Sequence, residues 1–280
     1  LSEERLVITG GSGFLGSRLA EISAGVGWQV CATFCGNCLQ TAEGIEAVRL
    51  DLRDREATRR MVVDLKPLAV VHTAYRQDDR EVTLGGTLNL LAACRELENP
   101  PYLLYTSTDL VFDGRRGNYT EADRPEPLMA YGRDKLDTEN AVLGSELSAS
   151  VVRTSLMYDF SRVPLHLRFA VEAVERGGEC RLFVDEFRSP VFIDDLARGL
   201  LAVIGLRYEG VLHVAGADRI DRYGFGIRLL KALGYPTRRV LPGTAAASGL
   251  VRPADCSLDS SAAKKLLGMR FRGMRELLPD

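Results

Sequence analysis

No run of 18 or more apolar residues occurs in the 280-residue chain, so no helical membrane span is expected. A charge surplus of either sign is also missing. The 36 basic and 38 acidic side chains leave a formal net charge of −2, which excludes the basic excess of a general nucleic-acid binder and the polybasic surface of a membrane-docking protein. Cysteine is sparse, with six in the whole chain. That is too few for a disulfide scaffold and is consistent with a reducing cytoplasmic setting. Internal repeats, low-complexity stretches and clear linkers are absent. The chain begins Leu1-Ser-Glu-Glu-Arg5 without a signal-peptide pattern or an initiator Met, and a trimmed start is expected.

What is present is an ordinary globular composition, 46% hydrophobic and 26% charged. Short apolar runs suited to strands (Leu6–Thr9, Gln29–Phe34, Ala47–Leu50, Leu68–His72, Tyr102–Thr106, Ser150–Arg153) alternate with helix-period segments. These segments are Phe14–Gly25, Arg55–Leu65, Val82–Leu97 and Met129–Leu147. Strand–helix alternation with continuously apolar strands predicts an α/β fold, a Rossmann-type doubly wound parallel sheet with helices on both faces. After Thr154 the rhythm loosens. A helix near 164–175, a strand near 181–184, a helix from about Asp194 to Ile204, a strand over 210–214 and two or three later helices are expected. The domains are therefore read as a dinucleotide-binding part over 1–155, which also receives about 189–215. A smaller C-terminal α/β substrate lobe over 156–188 and 216–280 is interleaved with it.

The first strand runs into Thr9-Gly10-Gly11-Ser12-Gly13-Phe14-Leu15-Gly16 and then a helix. Gly10 permits a tight turn, Gly13 lets the backbone approach a pyrophosphate, and Gly16 lets the helix pack against the strand. The helix N-terminus adds N–H donors and a positive dipole end. Ser12, Phe14 and Leu15 complete this candidate phosphate cradle. At the end of the second strand, Thr33-Phe-Cys-Gly-Asn37 carries no carboxylate to meet a ribose 2′-hydroxyl, so NADP(H) is preferred and NAD(H) remains an option. No Arg lies in that loop. Arg18 on the first helix is either a phosphate ligand or a solvated side chain.

Tyr131 and Lys135 stand four apart on a helix-period segment, which places them on one face, about 6 Å apart along the axis. A free phenol has a pKa of about 10, and a neighbouring ammonium favours its ionised form, so Lys135 can tune Tyr131 for proton transfer. The hydroxyls of Thr106-Ser-Thr108 lie at a strand's C-terminal end, where ligands bind in open α/β sheets. Thr108 is the candidate carbonyl holder, with Ser107 as its alternative.

Together these residues resemble the extended short-chain dehydrogenase/reductase superfamily, and within it the dTDP-4-dehydrorhamnose reductase-like branch. The resemblance is carried by TGxxGxxG over 9–16, Ser107-Thr-Asp-Leu-Val-Phe-Asp-Gly114, Arg153-Thr-Ser155, Pro190–Ala197, Gly210–Gly216, and Arg252-Pro253 with Ser257-Leu-Asp259. It implies a catalytic triad of Thr108, Tyr131 and Lys135, with hydride transfer from a nicotinamide and Tyr131 as proton donor. It further implies Asp51 and Leu52 at the adenine edge, with Thr73, Ala74 and Tyr75 beside the cofactor. Thr108, Asp109, Leu156 and Arg252 would meet a nucleotide-sugar or similar keto substrate, and the chain would form a homodimer. For Asp51, helix capping is the competing reading, with Asp54 a rival for that role. For Arg252, a structural salt bridge competes with phosphate binding.

The sequence departs from the branch in three places. Thr83 stands where many members carry the Asn of a proton-relay water, the loop from Tyr75 to Glu81 is short, and Leu156 replaces a Trp at the sugar site. A reductase acting on a related substrate is therefore expected. The alternatives are an epimerase or dehydratase, or a non-catalytic NADP-binding subunit like the β subunit of methionine adenosyltransferase. The Cys35/Cys38 pair lacks further ligands for zinc, so no metal site is expected. Asp194 and Asp195 read as a helix start, His72 and His213 as structural, His166 as a surface residue, and Val142 and Leu143 as either a dimer or a core face.

Overall fold

The computed structural model describes residues 4–36 and 43–278, so Asn37 and Cys38 of the second-strand loop lie outside the described residues. β1 (Arg5–Thr9) leads into α1 (Phe14–Gly25) and β2 (Gln29–Phe34). β3 (Ile45–Arg49), α2 (Arg55–Leu65) and β4 (Ala69–His72) follow, then α3 (Gly86–Arg95), β5 (Tyr102–Thr108), α4 (Ala130–Leu143) and β6 (Ala149–Thr154). One seven-stranded sheet runs β3-β2-β1-β4-β5-β6 and ends on the strand Gly210–His213. The pairings of β1 with β2 and β4, of β2 with β3, and of β4 with β5 are all parallel. The strand order reverses between β1 and β4, the switch point where open α/β sheets leave a crevice at their C-terminal edge.

The chain divides into two units. The first holds residues 1–107, 130–152 and 197–212, and the second holds 108–129, 153–196 and 213–280. This grouping differs from the sequence boundaries, because 108–129 and 189–196 fall in the second unit. The first unit closes on a core of Val7, Val62, Val70, Leu90, Leu103, Val142 and Val151, among others, with Val142 wholly buried. Leu143 is 44% exposed, so the two adjacent residues face different ways. The second unit packs Tyr158, Leu167, Leu182, Phe225, Leu229 and Met274. There the strand Cys180–Phe183 pairs parallel with Val240–Gly243, and Phe187–Arg188 pairs antiparallel with Ile220–Asp221. Among the described residues, four short helices follow residue 216 where two or three were expected.

Three expected helices differ in detail. The segment read as one helix over Val82–Leu97 opens with a π-helical turn, Glu81–Gly85, before α3 begins. The Thr83 hydroxyl, in the middle of that turn, binds both backbone groups of Arg76 and draws the chain out of α-helical register. The segment read as Met129–Leu147 stops at Leu143, where Ser145 turns its hydroxyl back to the Val142 carbonyl and Glu146 takes a positive φ of 62°. The helix read as starting at Asp194 begins at Ile193, which places Asp194 and Asp195 in its first turn.

α2 is capped by Asp54, whose carboxylate accepts from the Ala57 N–H at 2.9 Å. Asp51 makes no such cap, since its carboxylate is occupied by Arg53, with Nη2 at 2.6 Å and Nε at 3.0 Å. Asp54→Ala is expected to cost about 1 kcal/mol, and Asp51→Ala to stay within roughly 0.5 kcal/mol. Urea unfolding of the two variants checks the difference.

Candidate active site

The glycine turn expected to cradle phosphates is built by backbone geometry. Gly10 sits at φ +73°, and a Cβ there would lie 2.9 Å from the Ala74 backbone. A Cβ on Gly16 would collide with the Gly10 carbonyl, so only glycine lets α1 start this close to β1. Gly13, the N-cap of α1, is exposed, has no side chain with which to cap the helix, and a Cβ there would meet only the Gly10 oxygen at 3.1 Å. An exposed turn leading into a helix N-terminus without a side-chain cap fits a dinucleotide pyrophosphate. Ser12 is exposed here, Phe14 is half-buried, and Leu15 points into the core. Thr33 is buried and its carbonyl accepts from the Gly11 N–H at 2.7 Å, so it supports the turn from below.

The sheet register levels the site. Thr9 pairs with His72, and His72 pairs with Tyr105. One residue beyond this row lie Gly10, Thr73 and Thr106, all at the C-terminal edge. Neutral His72 ties the row together. Burial pushes its pKa down to about 3, with the Lys135 charge acting in the same direction. The Thr87 hydroxyl spends its proton on the Thr83 carbonyl at 2.6 Å. The 2.8 Å contact from His72 Nε2 to Thr87 is therefore a donation by the ring, and Thr9 donates to Nδ1 at 2.6 Å. Thr73 donates to the Thr9 carbonyl at 2.7 Å, and the Ala74 N–H donates to the Thr9 hydroxyl at 3.4 Å. His72 is structural, as its sequence context suggested.

Lys135 is 3% exposed. Its ammonium donates to the Thr106 carbonyl at 2.7 Å and lies 4.2 Å from the Tyr105 ring centroid and 5.3 Å from that of Tyr75. Desolvation brings its pKa down to about 7, opposed by Glu139, itself 1% exposed and one helical turn further along α4. Sequence reasoning missed Glu139; a carboxylate four residues after Lys135 on one helix face was the available signal. Tyr131 is half-buried, and its ring centroid lies 5.6 Å from that of Tyr75.

Asp51 is half-buried and held by Arg53, which keeps its carboxyl below the usual range. Leu52 is buried, with its carbonyl accepting from Asn89 at 2.9 Å. Arg18 is half-buried and paired with Glu21 at 2.8 Å.

The remaining candidates, apart from Ser107 at the end of the first unit's opening segment, lie in the second unit. The Thr108 hydroxyl accepts from the Leu110 N–H at 3.2 Å and donates to Asp109 at 3.3 Å. Ser107, the alternative, has a buried hydroxyl without a hydrogen-bond partner. Asp109 is 4% exposed, and burial raises its pKa. It accepts from Ser155 at 2.6 Å and faces Arg188 at 3.7 Å. Arg252 is committed to a salt bridge with the fully buried Glu186, its Nη2 at 3.3 Å. Arg188 and Arg222 join this network, and sequence reasoning singled out neither. Leu156 packs against the second unit's core. His166 corrects its surface reading. Its Nε2 is buried, and desolvation pushes its pKa down to about 3, because the ring packs 5.5 Å from that of Phe225.

Among known proteins, residues 4–280 match the RmlD substrate-binding domain family. The chain is 29% identical to the methionine adenosyltransferase 2 subunit beta of Danio rerio, over 95% of this chain and 85% of that protein. It is 30% identical to a dTDP-4-dehydrorhamnose reductase of Mycolicibacterium smegmatis, over 85% of this chain and 72% of that protein. A hypothetical dTDP-4-dehydrorhamnose reductase from Sulfolobus tokodaii superposes with a TM-score of 0.82 at 26% identity, covering 96% of this chain and 97% of the other. The dTDP-4-dehydrorhamnose reductase of Bacillus anthracis, solved with NADP, shares the fold with a TM-score of 0.81 at 22% identity, covering 99% and 97%.

The depressed pKa of Lys135 has a definite sign. Below about 7 the amine is charged in folded and unfolded chains alike, and its burial penalty is carried in full. Between about 7 and the ordinary value near 10.4, the folded chain releases a proton that the unfolded chain keeps, so this group's contribution to stability improves as pH rises. In ¹³Cε-lysine NMR of the free protein, one signal should titrate near about 7 and be missing in Lys135→Met.

Proposed function

The chain belongs to the RmlD substrate-binding domain family, and from that premise we propose that it is an NAD(P)-dependent reductase of a keto group on a nucleotide-activated sugar. The observation that carries this reading is the Lys135 ammonium, buried at the sheet's C-terminal edge one helical turn from Tyr131, in the same unit as the glycine turn. The sequence relationship to a dTDP-4-dehydrorhamnose reductase supports the substrate class.

A reduced nicotinamide held beside the glycine turn would supply the hydride for the substrate carbonyl carbon. Tyr131 gives its hydroxyl proton to the carbonyl oxygen. Lys135 favours the phenolate left behind, and its two N–H bonds not aimed at Thr106 suit ribose hydroxyls. Thr108 holds the carbonyl. NADP(H) is the preferred cofactor, because residues 33–36 offer no carboxylate to repel a 2′-phosphate. Self-association through α4 belongs to the same reading, with Leu143 on its exposed face. Epimerase or dehydratase chemistry is less favoured, since Asp109 is buried and engaged by Ser155.

A second reading, a non-catalytic cofactor-binding subunit, is favoured by the relationship to methionine adenosyltransferase β subunits over nearly the whole chain. NADPH oxidation with a panel of nucleotide-activated keto-sugars separates the two. Under the reductase reading Tyr131→Phe lowers kcat by about 10²–10⁴ and leaves the cofactor Kd unchanged. An equally active Tyr131→Phe would refute Tyr131 as donor, whereas no turnover with any substrate, together with co-purification of a larger partner, would favour the second reading.

A further inference from the structure

We propose that Tyr105 is a positioning residue of this site, its ring face holding the Lys135 ammonium charged and in place. The effect on Lys135 belongs to the free protein, and its consequence for turnover rests on the reductase reading. The ammonium lies over the Tyr105 ring, 4.2 Å from its centroid. A cation is attracted by the negative face of an aromatic ring, most strongly where both partners are out of water. Both are here, with Tyr105 at 0% and Lys135 at 3% exposure.

The fold leaves this contact little freedom. Side chains alternate along β5, so Leu103 and Tyr105 share one face, and both belong to the core that includes Val142 of α4. Lys135 stands seven residues before Val142, on the same side of that helix. The Thr106 carbonyl, next along β5, takes one ammonium N–H at 2.7 Å. Ring and carbonyl thus come from consecutive residues of one strand. Tyr75 offers a weaker second face, because its centroid is 5.3 Å away and the residue is 46% exposed.

Tyr105 acts through its ring and not its hydroxyl. The hydroxyl is buried and has no hydrogen-bond partner. Burial pushes the phenol far above its ordinary range, so the ring stays neutral and keeps its electron-rich face. His72, 5.5 Å from the Tyr105 ring, is held neutral and adds no charge to the pair. The other ionisable groups around Lys135 are Tyr131 and Glu139 on α4, Tyr75, and Arg80, which is paired with Asp134 and Asp137 of α4. Glu139 favours the charged amine, yet desolvation still brings its pKa down to about 7. A modest further attraction therefore decides its charge at neutral pH.

Tyr105→Leu and Tyr105→Phe separate the ring face from the hydroxyl and from plain packing. In ¹³Cε-lysine NMR of the free protein, Tyr105→Leu keeps an apolar side chain beside Lys135 and should lower the Lys135 midpoint by roughly half to one pH unit. Tyr105→Phe keeps the face and should leave the midpoint in place. Phenylalanine carrying successive fluorines at position 105 preserves the ring's shape while draining its face, and should lower the midpoint stepwise. That series decides the matter where Tyr105→Leu does not fold. Turnover needs the charged amine, so the alkaline limb of kcat/KM should move to lower pH by the same interval in Tyr105→Leu and stay put in Tyr105→Phe. A Lys135 midpoint unmoved by loss or fluorination of the ring overturns the proposal, as does an equal fall in Tyr105→Phe. An alkaline limb that stays while the midpoint moves overturns the part of Tyr105 in turnover. If the wild-type protein turns over no keto-sugar, the reductase reading fails by itself, and the midpoint shift persists.

Discussion

The site depends on keeping one ammonium charge out of water. Lys135 is buried against the Thr106 carbonyl and two tyrosine rings, and desolvation of this kind costs several kcal/mol before compensation. One short hydrogen bond, two ring faces and the nearby Glu139 offset only part of that cost, so the amine sits at about pKa 7. A lysine in this condition is sensitive to any new acceptor or negative charge. Under the proposed reductase reading, cofactor hydroxyls and a developing phenolate at Tyr131 would be such groups. Under that reading, desolvation at Lys135 would make its attraction to a Tyr131 phenolate stronger than the same pair would have in water.

Such a charge helps only if the parts around it are level. β1, β4 and β5 are parallel and in register through Thr9, His72 and Tyr105, so the glycine turn and the Lys135 acceptor emerge at the same edge. The neutral His72 makes this more than a backbone coincidence. It links β1 to α3 through Thr9 and Thr87, and Thr87 binds the carbonyl of Thr83. A continuous set of hydrogen bonds thus runs from the strand before the glycine turn to the clamp that holds Arg76. Low solvent exposure along this path favours a single arrangement, because a broken bond would leave a buried polar group unpaired.

Much of this was legible from residue order. The first six strands, α1 and α2 lie close to where apolar periodicity put them, because both faces of the sheet are covered and the strands read as plain apolar runs. The roles of Gly10 and Gly16 were legible because each glycine solves a local steric problem. Long-range pairing was not. Asp51 looked free to cap a helix or bind adenine until Arg53 folded back on it. Thr83 looked like a lost Asn, and only the path of residues 75–81 shows that its hydroxyl holds Arg76. The π-helical turn follows from that same clamp, which helix propensity does not register.

The second unit shows why Arg252 could not be assigned from its motif. Glu186 is fully buried, and such a carboxylate is tolerated only with cationic partners. Arg252 supplies one, and Arg188 lies 3.8 Å away on the other side. Arg188 also faces Asp109, whose carboxylate receives the Thr108 hydroxyl. A guanidinium that neutralises Glu186 is therefore connected, through one buried network, to the residue read as the carbonyl holder. A phosphate approaching Arg252 would have to compete with a carboxylate that has no water to fall back on. The motif conservatively read as substrate contact thus has a prior structural obligation, and any anion bound there must leave the Glu186 pairing intact. Arg222, whose pKa burial brings down to about 10, is the further guanidinium in this network that can share the load.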